Sequence, residues 1–185
     1  KFAMKGEFVS SKSAPADNVA SALYGGTILV NNIENYNVIK LPVPKNLYAI
    51  IHHPLVEIKT SDSRGILPKS IDLNIASNQL SAIGGFIHSL HTQDFELMKI
   101  SLKDYLVEQF RSDYVPAFNE IKSTAEKNKS ICCSISGSGP SIFTLVNSLG
   151  EAKRLKLLFD EIYKGKKLDF NSYITSLNSK GVHEV

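Results

Sequence analysis

Apolar positions along the chain recur in two rhythms. Between residues 70 and 90 they return at Ile71, Ile75, Ala82, Ile83, Phe86, Ile87 and Leu90, the period of a helix with one buried face. Leu155, Leu158, Phe159 and Ile162 repeat that stripe, with Lys153, Arg154, Lys156 and Lys164 on the solvated side. Residues 93–105 and 114–126 read as two more helical segments, separated by Val107-Glu108-Gln109-Phe110-Arg111. Phe2, Met4 and Phe8 read as the tail of a helix that began earlier, which marks the chain as the C-terminal part of something longer. Short runs rich in β-branched and aromatic residues at 27–30, 36–41, 47–52, 131–134, 142–146 and 170–177 read as strands. Asn31-Asn32 marks a turn after the first, and Pro42, Pro44 and Pro54 bound the third. Early strands, a helical block, then strand–loop–strand–helix–strand predict an α+β fold, an antiparallel sheet with helices packed on one face. Gly84-Gly85 inside the longest helix costs about 1 kcal/mol per glycine against alanine, which predicts close backbone contact there.

Between the strands at 131–134 and 142–146 lies Ser136-Gly137-Ser138-Gly139-Pro140-Ser141. Gly137 and Gly139 can take the positive φ values that other residues avoid, and they let backbone N–H groups converge on an anion. Pro140 stiffens the exit, and the serines add hydroxyls. The run matches neither the Walker loop nor the dinucleotide fingerprint, and a Gly-Pro hairpin turn explains the spacing equally well.

The apolar share of 43% and charged share of 21% are those of an ordinary globular domain. A net charge of +3, dispersed among acids, does not call for nucleic acid. No run is long enough to span a membrane and no secretory pattern opens the chain, so the cytoplasm is the expected compartment. Cys132 and Cys133, the only cysteines, would point to opposite faces of a strand as separate reduced thiols. His52-His53 would likewise diverge, and His88 and His91 share a helix face without a third ligand, so no metal site is assigned. Asp17-Asn18-Val19-Ala20, followed by Gly25-Gly26, reads as a short helix with Asp17 or Asn18 at its N-cap and a glycine ending it. Capping explains one of those two polar residues and leaves the other over. Thr60-Ser61-Asp62-Ser63-Arg64 ahead of Leu67-Pro68 reads as a single helical turn with a surface cation.

Four of these stretches, in this order, resemble the homoserine kinases of the GHMP small-molecule kinase superfamily. Ser136 to Ser141 is similar to the superfamily's C-terminal glycine-rich motif. Asp17-Asn18-Val19-Ala20 with Gly25-Gly26 resembles H-x-D-N-V-A-P…G-G. Thr60 to Arg64 with Leu67-Pro68 resembles T-x-x-A-R-x-x-L-P. Glu108-Gln109-Phe110-Arg111 with Val115-Pro116-Ala117-Phe118 resembles E-P-x-R…P-G-F.

The resemblance implies a ferredoxin-like C-terminal domain at 46–185, preceded at 1–45 by the tail of an N-terminal kinase domain. It implies transfer of the ATP γ-phosphoryl to the homoserine hydroxyl, on the route to threonine. ATP and Mg2+ would be held mainly by an N-terminal half carrying the P-x-x-x-G-L-G-S-S loop, and the 185 residues alone are expected to be inactive. Asp17 and Asn18 would face the substrate amino group and side chain, and Arg64 and Arg111 would hold its carboxylate. Gly137, with Ser136, Ser138 and Gly139, would close the substrate and phosphate end of the cleft. No general base is assigned, no nucleic-acid or membrane partner is implied, and a homodimer is compatible. Four positions depart from the pattern: Pro15 for histidine, Ser21 for proline, Gln109 for proline and Ala117 for glycine. Two other readings stand beside this one, another GHMP kinase acting on a different alcohol and a non-catalytic amino-acid-binding module. Paired arginines favour an amino or hydroxy acid over a sugar.

Overall fold

The computed structural model describes residues 2–11, 16–32, 37–56, 65–177 and 180–183. The chain divides into two compact units, one formed by Lys1–Lys45 with Leu177–Val185 and the other by Asn46–Ser176.

In the smaller unit, helices α1 (Phe2–Ser11) and α2 (Ala16–Tyr24) precede an antiparallel pair, β1 (Thr27–Asn32) and β2 (Asn37–Leu41). Helix α2 starts at Ala16, so Asp17 and Asn18 lie in its first turn and neither is the N-cap. The predicted glycine stop is present: Gly25 has φ +65°, and its N–H donates to the Ser21 carbonyl at 2.9 Å. A Cβ there would meet the backbone of Lys180 and Gly181, so close approach as well as φ requires glycine. Asn31 and Asn32 still belong to β1 rather than to a turn.

The larger unit is built on β3 (Tyr48–Pro54), β4 (Cys132–Ile135), β5 (Ile142–Val146) and β6 (Phe170–Ser176). They form one antiparallel sheet in the order β4-β5-β3-β6. With helices between β3 and β4 and again between β5 and β6, this is the split βαβ order of ferredoxin-like domains. Period-2 alternation sends Ile50, His52, Ile142, Thr144, Val146, Cys133 and Ile174 to one face. Two helices cover that face. Helix α6 (Phe118–Lys127) contributes Phe118, Ile121 and Ala125, and α7 (Leu149–Gly165) contributes Ala152, Leu155, Phe159 and Tyr163. Both sets follow the 3–4-residue spacing of a single helical stripe. Ser148 caps α7 by accepting from the Glu151 N–H.

On the β4 side, α3 (Leu73–Thr92) pairs with α4 (Phe95–Ser101), each capped by an aspartate, Asp72 and Asp94. The expected close contact at the helix glycines is made by Gly85, where the Ser101 side chain occupies the place of a Cβ. Gly84 faces open space. The helical segments expected at 93–105 and 114–126 are shorter. Helix α4 ends at Ser101, because the Asp104 carboxylate then collects the N–H groups of Leu106, Val107 and Glu108 and opens a new turn, α5 (Glu108–Arg111). Tyr114 lies in a 3₁₀ turn, Ser112–Tyr114, and α6 begins only after Pro116 and Ala117.

A polar cluster sits inside the apolar face. His52 is 1% exposed, lies parallel to the Tyr163 ring at 5.6 Å, and donates from Nε2 to Asp160 Oδ1 at 2.9 Å. Lys156 donates to the other oxygen at 2.7 Å. Burial pushes the His52 imidazole below its ordinary range, and the Asp160 carboxylate only partly offsets this. Burial alone would raise the Asp160 carboxyl, but hydrogen bonds from Lys156, His52 and Ser172 together hold it below the usual carboxylate range.

Two outcomes follow from this packing. Ala117 holds φ +63°, a conformation that costs an L-residue about 1–2 kcal/mol, while its methyl packs against the core. Ala117→Gly should therefore stabilise the 185-residue chain by about 0.5–1 kcal/mol in urea unfolding, and a lower midpoint would contradict the strain. The second outcome concerns acid. With its folded pKa depressed, His52 refuses a proton that the unfolded chain accepts, so stability is lost as pH falls below the unfolded value near 6.5. The melting temperature should drop between about pH 7.5 and pH 5.5, and His52→Gln, which keeps a donor for Asp160, should flatten that slope. Identical slopes in the two proteins would assign the dependence to other groups.

Candidate functional site

The hairpin joining β4 to β5 carries the glycine-rich loop. Both strands are short, and their register, Ile135 opposite Ile142, leaves six residues to turn the chain. The Ser136 N–H donates to the Ser141 carbonyl at 2.8 Å, and the Gly139 N–H donates to the Ser136 carbonyl at 3.0 Å. Inside this four-residue turn Gly137 takes φ +59°, and Gly139 follows at φ +84°. The loop is thus a structured turn whose apex N–H groups are those of Gly137 and Ser138. A Cβ added at Gly137 would meet nothing within 4 Å, so the space over the turn is open. On the exit side, Ser141 Oγ and His53 Nδ1 share a hydrogen bond of 2.8 Å, tying the loop to β3.

Arg111 comes to this loop from α5. Its Nη1 donates to the Gly137 carbonyl at 2.8 Å, so the guanidinium lies against the turn. Helix α5 is only four residues long and is held from outside. Its start is fixed by Asp104, as above. Its first residue, Glu108, has a side chain 11% exposed and accepts from Ser134 Oγ on β4 at 2.7 Å. The other Glu108 oxygen is ion-paired with Lys122 on α6.

The two cysteines diverge as expected. Cys133 joins the apolar core, while the Cys132 thiol is directed to the Leu102 carbonyl at 3.6 Å. Burial pushes both thiols up to about 12, so they stay protonated and unreactive near neutral pH. A cleft of about 410 Å3, lined by Lys99, Leu102, Asp104, Lys122, Ser130 and Cys132 among others, opens beside them. Neither Arg111 nor Gly137 lines it, and the sequence motifs do not point to it. His88 and His91 are both exposed on α3, and among the described residues no group of three or more His, Cys, Asp or Glu forms a metal site. No helix among them is long and apolar enough to cross a membrane.

Of the residues singled out in the sequence, the structure brings Arg111 and Gly137 into contact, with Ser136, Ser138 and Gly139 in the same turn. Asp17 and Asn18 are exposed on α2 in the smaller unit. Arg64, the run Thr60 to Ser63 and the divergent Pro15 lie outside the described residues. Glu108, Ser134 and His53 were missed as parts of this site. Glu108 stands inside the motif that carries Arg111, which was the available signal. Its bond to Ser134 joins residues 26 apart and has no local signature.

Comparison with known proteins agrees with this architecture. Residues 86–164 match the family described as GHMP kinases C terminal. The chain is 40% identical over 154 residues to a homoserine kinase from Chlorobium phaeobacteroides (strain BS1), covering 83% of this chain and 48% of that protein. It is 41% identical over 147 residues to a homoserine kinase from Chlorobaculum tepidum, covering 80% and 45%. The crystal structure of homoserine kinase from Cytophaga hutchinsonii superposes with a TM-score of 0.93 at 43% identity, over 97% of this chain and 57% of that one. The chain spans about half the length of the curated relatives it matches. The resemblance read from the four motifs, to the C-terminal portion of homoserine kinases with an α+β fold, is borne out.

The turn makes a prediction of its own. Because Gly137 has φ +59° and open space above it, a side chain there is penalised by backbone conformation and not by collision. Gly137→Ala should lower stability by about 1 kcal/mol, and Gly137→Asn, which tolerates this conformation, by a few tenths. Equal losses in urea titrations of the two variants would show that steric contact, not φ, sets the cost.

Proposed function

We propose that this chain, similar at 86–164 to the GHMP kinases C terminal, is the C-terminal part of a homoserine kinase. The reaction moves the ATP γ-phosphoryl to the homoserine hydroxyl: the hydroxyl oxygen bonds to phosphorus and releases its proton to solvent, the bond from phosphorus to the β–γ bridging oxygen breaks, and ADP departs. What supports the reading most directly is the 2.8 Å bond from Arg111 to the Gly137 carbonyl, which couples a guanidinium to the glycine turn.

Phosphoryl transfer asks for positioning and charge neutralisation more than for covalent chemistry. On this reading, Arg111 and Arg64 clamp the homoserine carboxylate, since a planar fork of donors matches two acceptor oxygens. Asp17 and Asn18 receive the amino group and side chain. The Ser136-Gly137-Ser138-Gly139 turn closes the substrate and phosphate end, where backbone N–H groups of such a turn suit an anion. ATP supplies the phosphoryl group, with Mg2+ as the counter-charge. Metal ligands are not assigned to this chain. Residues 1–45 are read as the tail of the kinase domain and 46–185 as the C-terminal domain. A homodimer and a cytoplasmic setting complete the proposal.

Losing one charged hydrogen-bond partner should cost about 1.5–3 kcal/mol, or roughly 10- to 150-fold in kcat/KM. In the full-length protein, Arg111→Ala and Arg64→Ala should show that loss mainly in KM for homoserine, with KM for ATP little changed. Lysine at either position should restore only part. The same variants should lose the wild-type preference for homoserine over 3-aminopropanol, which lacks the carboxylate. Undiminished discrimination in both would remove these arginines from the carboxylate site and leave only a generic GHMP kinase reading.

A further inference from the structure

We infer that Glu108 is a positioning residue for substrate-carboxylate recognition, acting through Arg111; this rests on the function proposed above. Three observations carry it. First, α5 is a single helical turn, too short to be stable by itself, so its placement depends on outside bonds. Secondly, Asp104 fixes the start of α5, and Glu108 supplies the side-chain bonds that tie it to β4 and α6. One carboxylate oxygen takes the Ser134 hydroxyl of β4 at 2.7 Å, and the other takes the Lys122 ammonium of α6. Strand β4 and helix α6 are thereby both bonded to one side chain of α5 that is 11% exposed. Thirdly, Glu108 and Arg111 are three residues apart in α5, and the same β4 that holds Glu108 leads from Ser134 directly into the turn that Arg111 touches at Gly137. Glu108 to Ser134 and Arg111 to Gly137 are thus two parallel ties between α5 and one hairpin. If the first is cut, the geometry of the second is less constrained, and a carboxylate-binding fork depends on that geometry.

The alternative is that Glu108 merely stabilises the fold, and kinetics separate the two. In the full-length protein, Glu108→Ala should raise KM for homoserine roughly 10-fold while KM for ATP stays within about twofold. Ser134→Ala, which cuts one tie, should have a smaller effect of the same kind. Glu108→Gln keeps an acceptor for Ser134 and should recover part of the loss. The deciding measurement is the double variant. If Glu108 acts through Arg111, adding Glu108→Ala to Arg111→Ala should change KM for homoserine by less than about twofold. Additive effects would overturn the inference and leave Arg111 as a clamp. An Arg111→Ala protein with unaltered KM for homoserine would overturn the clamp and this inference together. A fall in melting temperature with homoserine and ATP constants unchanged would make Glu108 a purely structural residue. Should Glu108→Ala fail to unfold cooperatively, Glu108→Gln and Ser134→Ala, alone and with Arg111→Ala, carry the same test.

Discussion

An antiparallel sheet exposes a face that must be covered, and here the stripes of α6 and α7 cover one face of β4-β5-β3-β6. That contact sets everything near the glycine turn. It holds β4 and β5 in register up to Ile135 and Ile142, so the six residues beyond them have little choice of path. It also places α6, whose Lys122 answers Glu108 from one side while Ser134 on β4 answers from the other. The turn and the short helix α5 therefore inherit their positions from the apolar core, although neither lies in it. Function is proposed for the elements with the least packing of their own, and the polar ties to the core make up the difference.

Local rules in the sequence recovered what local rules determine. β4 and β5 were located to within a residue, because β-branched and aromatic runs either side of a Gly-rich turn specify a hairpin without distant information. The stripe of α7 was legible in part: Leu155 and Phe159 are buried, but Leu158 is exposed, and Ala152 and Tyr163 complete the buried face instead. Helix ends were not. The segment read as 93–105 stops at Ser101, because Asp104 offers its carboxylate to three following N–H groups, a competition that propensity does not register. The segment read from 114 starts at Phe118, because Pro116 and a left-handed Ala117 intervene. The His52–Asp160 pair joins residues 108 apart and is invisible to any window. The adjacent histidines diverge as strand alternation expects, His52 toward the core and His53 toward Ser141.

Departures from the family pattern divide by conformation. Ala117 stands where the pattern has glycine and keeps the positive φ that glycine would take freely, so the substitution carries strain without changing the path of the chain. Gln109 replaces a proline in the first turn of α5, where a proline's missing N–H matters least, and its side chain donates to the Tyr105 carbonyl at 3.2 Å. Ser21 replaces a proline within α2 and bonds back to the Asn18 carbonyl at 3.0 Å. Each replacement is absorbed locally, and none touches the bond between Arg111 and Gly137.

What distinguishes an amino-acid kinase from a sugar kinase on a shared scaffold is the group opposite the reacting hydroxyl. A glycine turn serves either, because phosphate is common to both reactions and backbone N–H groups do not discriminate among alcohols. A guanidinium does discriminate, since its fork is satisfied by a carboxylate and left with unmatched donors by a hydroxyl. On the proposed function, the discriminating group Arg111 and the shared turn are bonded to each other, and the helix that carries one is tied to the strand that carries the other. On the proposed function, a carboxylate that draws on Arg111 thereby acts on the carbonyl of the turn's left-handed residue. Recognition of the substrate's distant end and shaping of the phosphate end then become a single mechanical event.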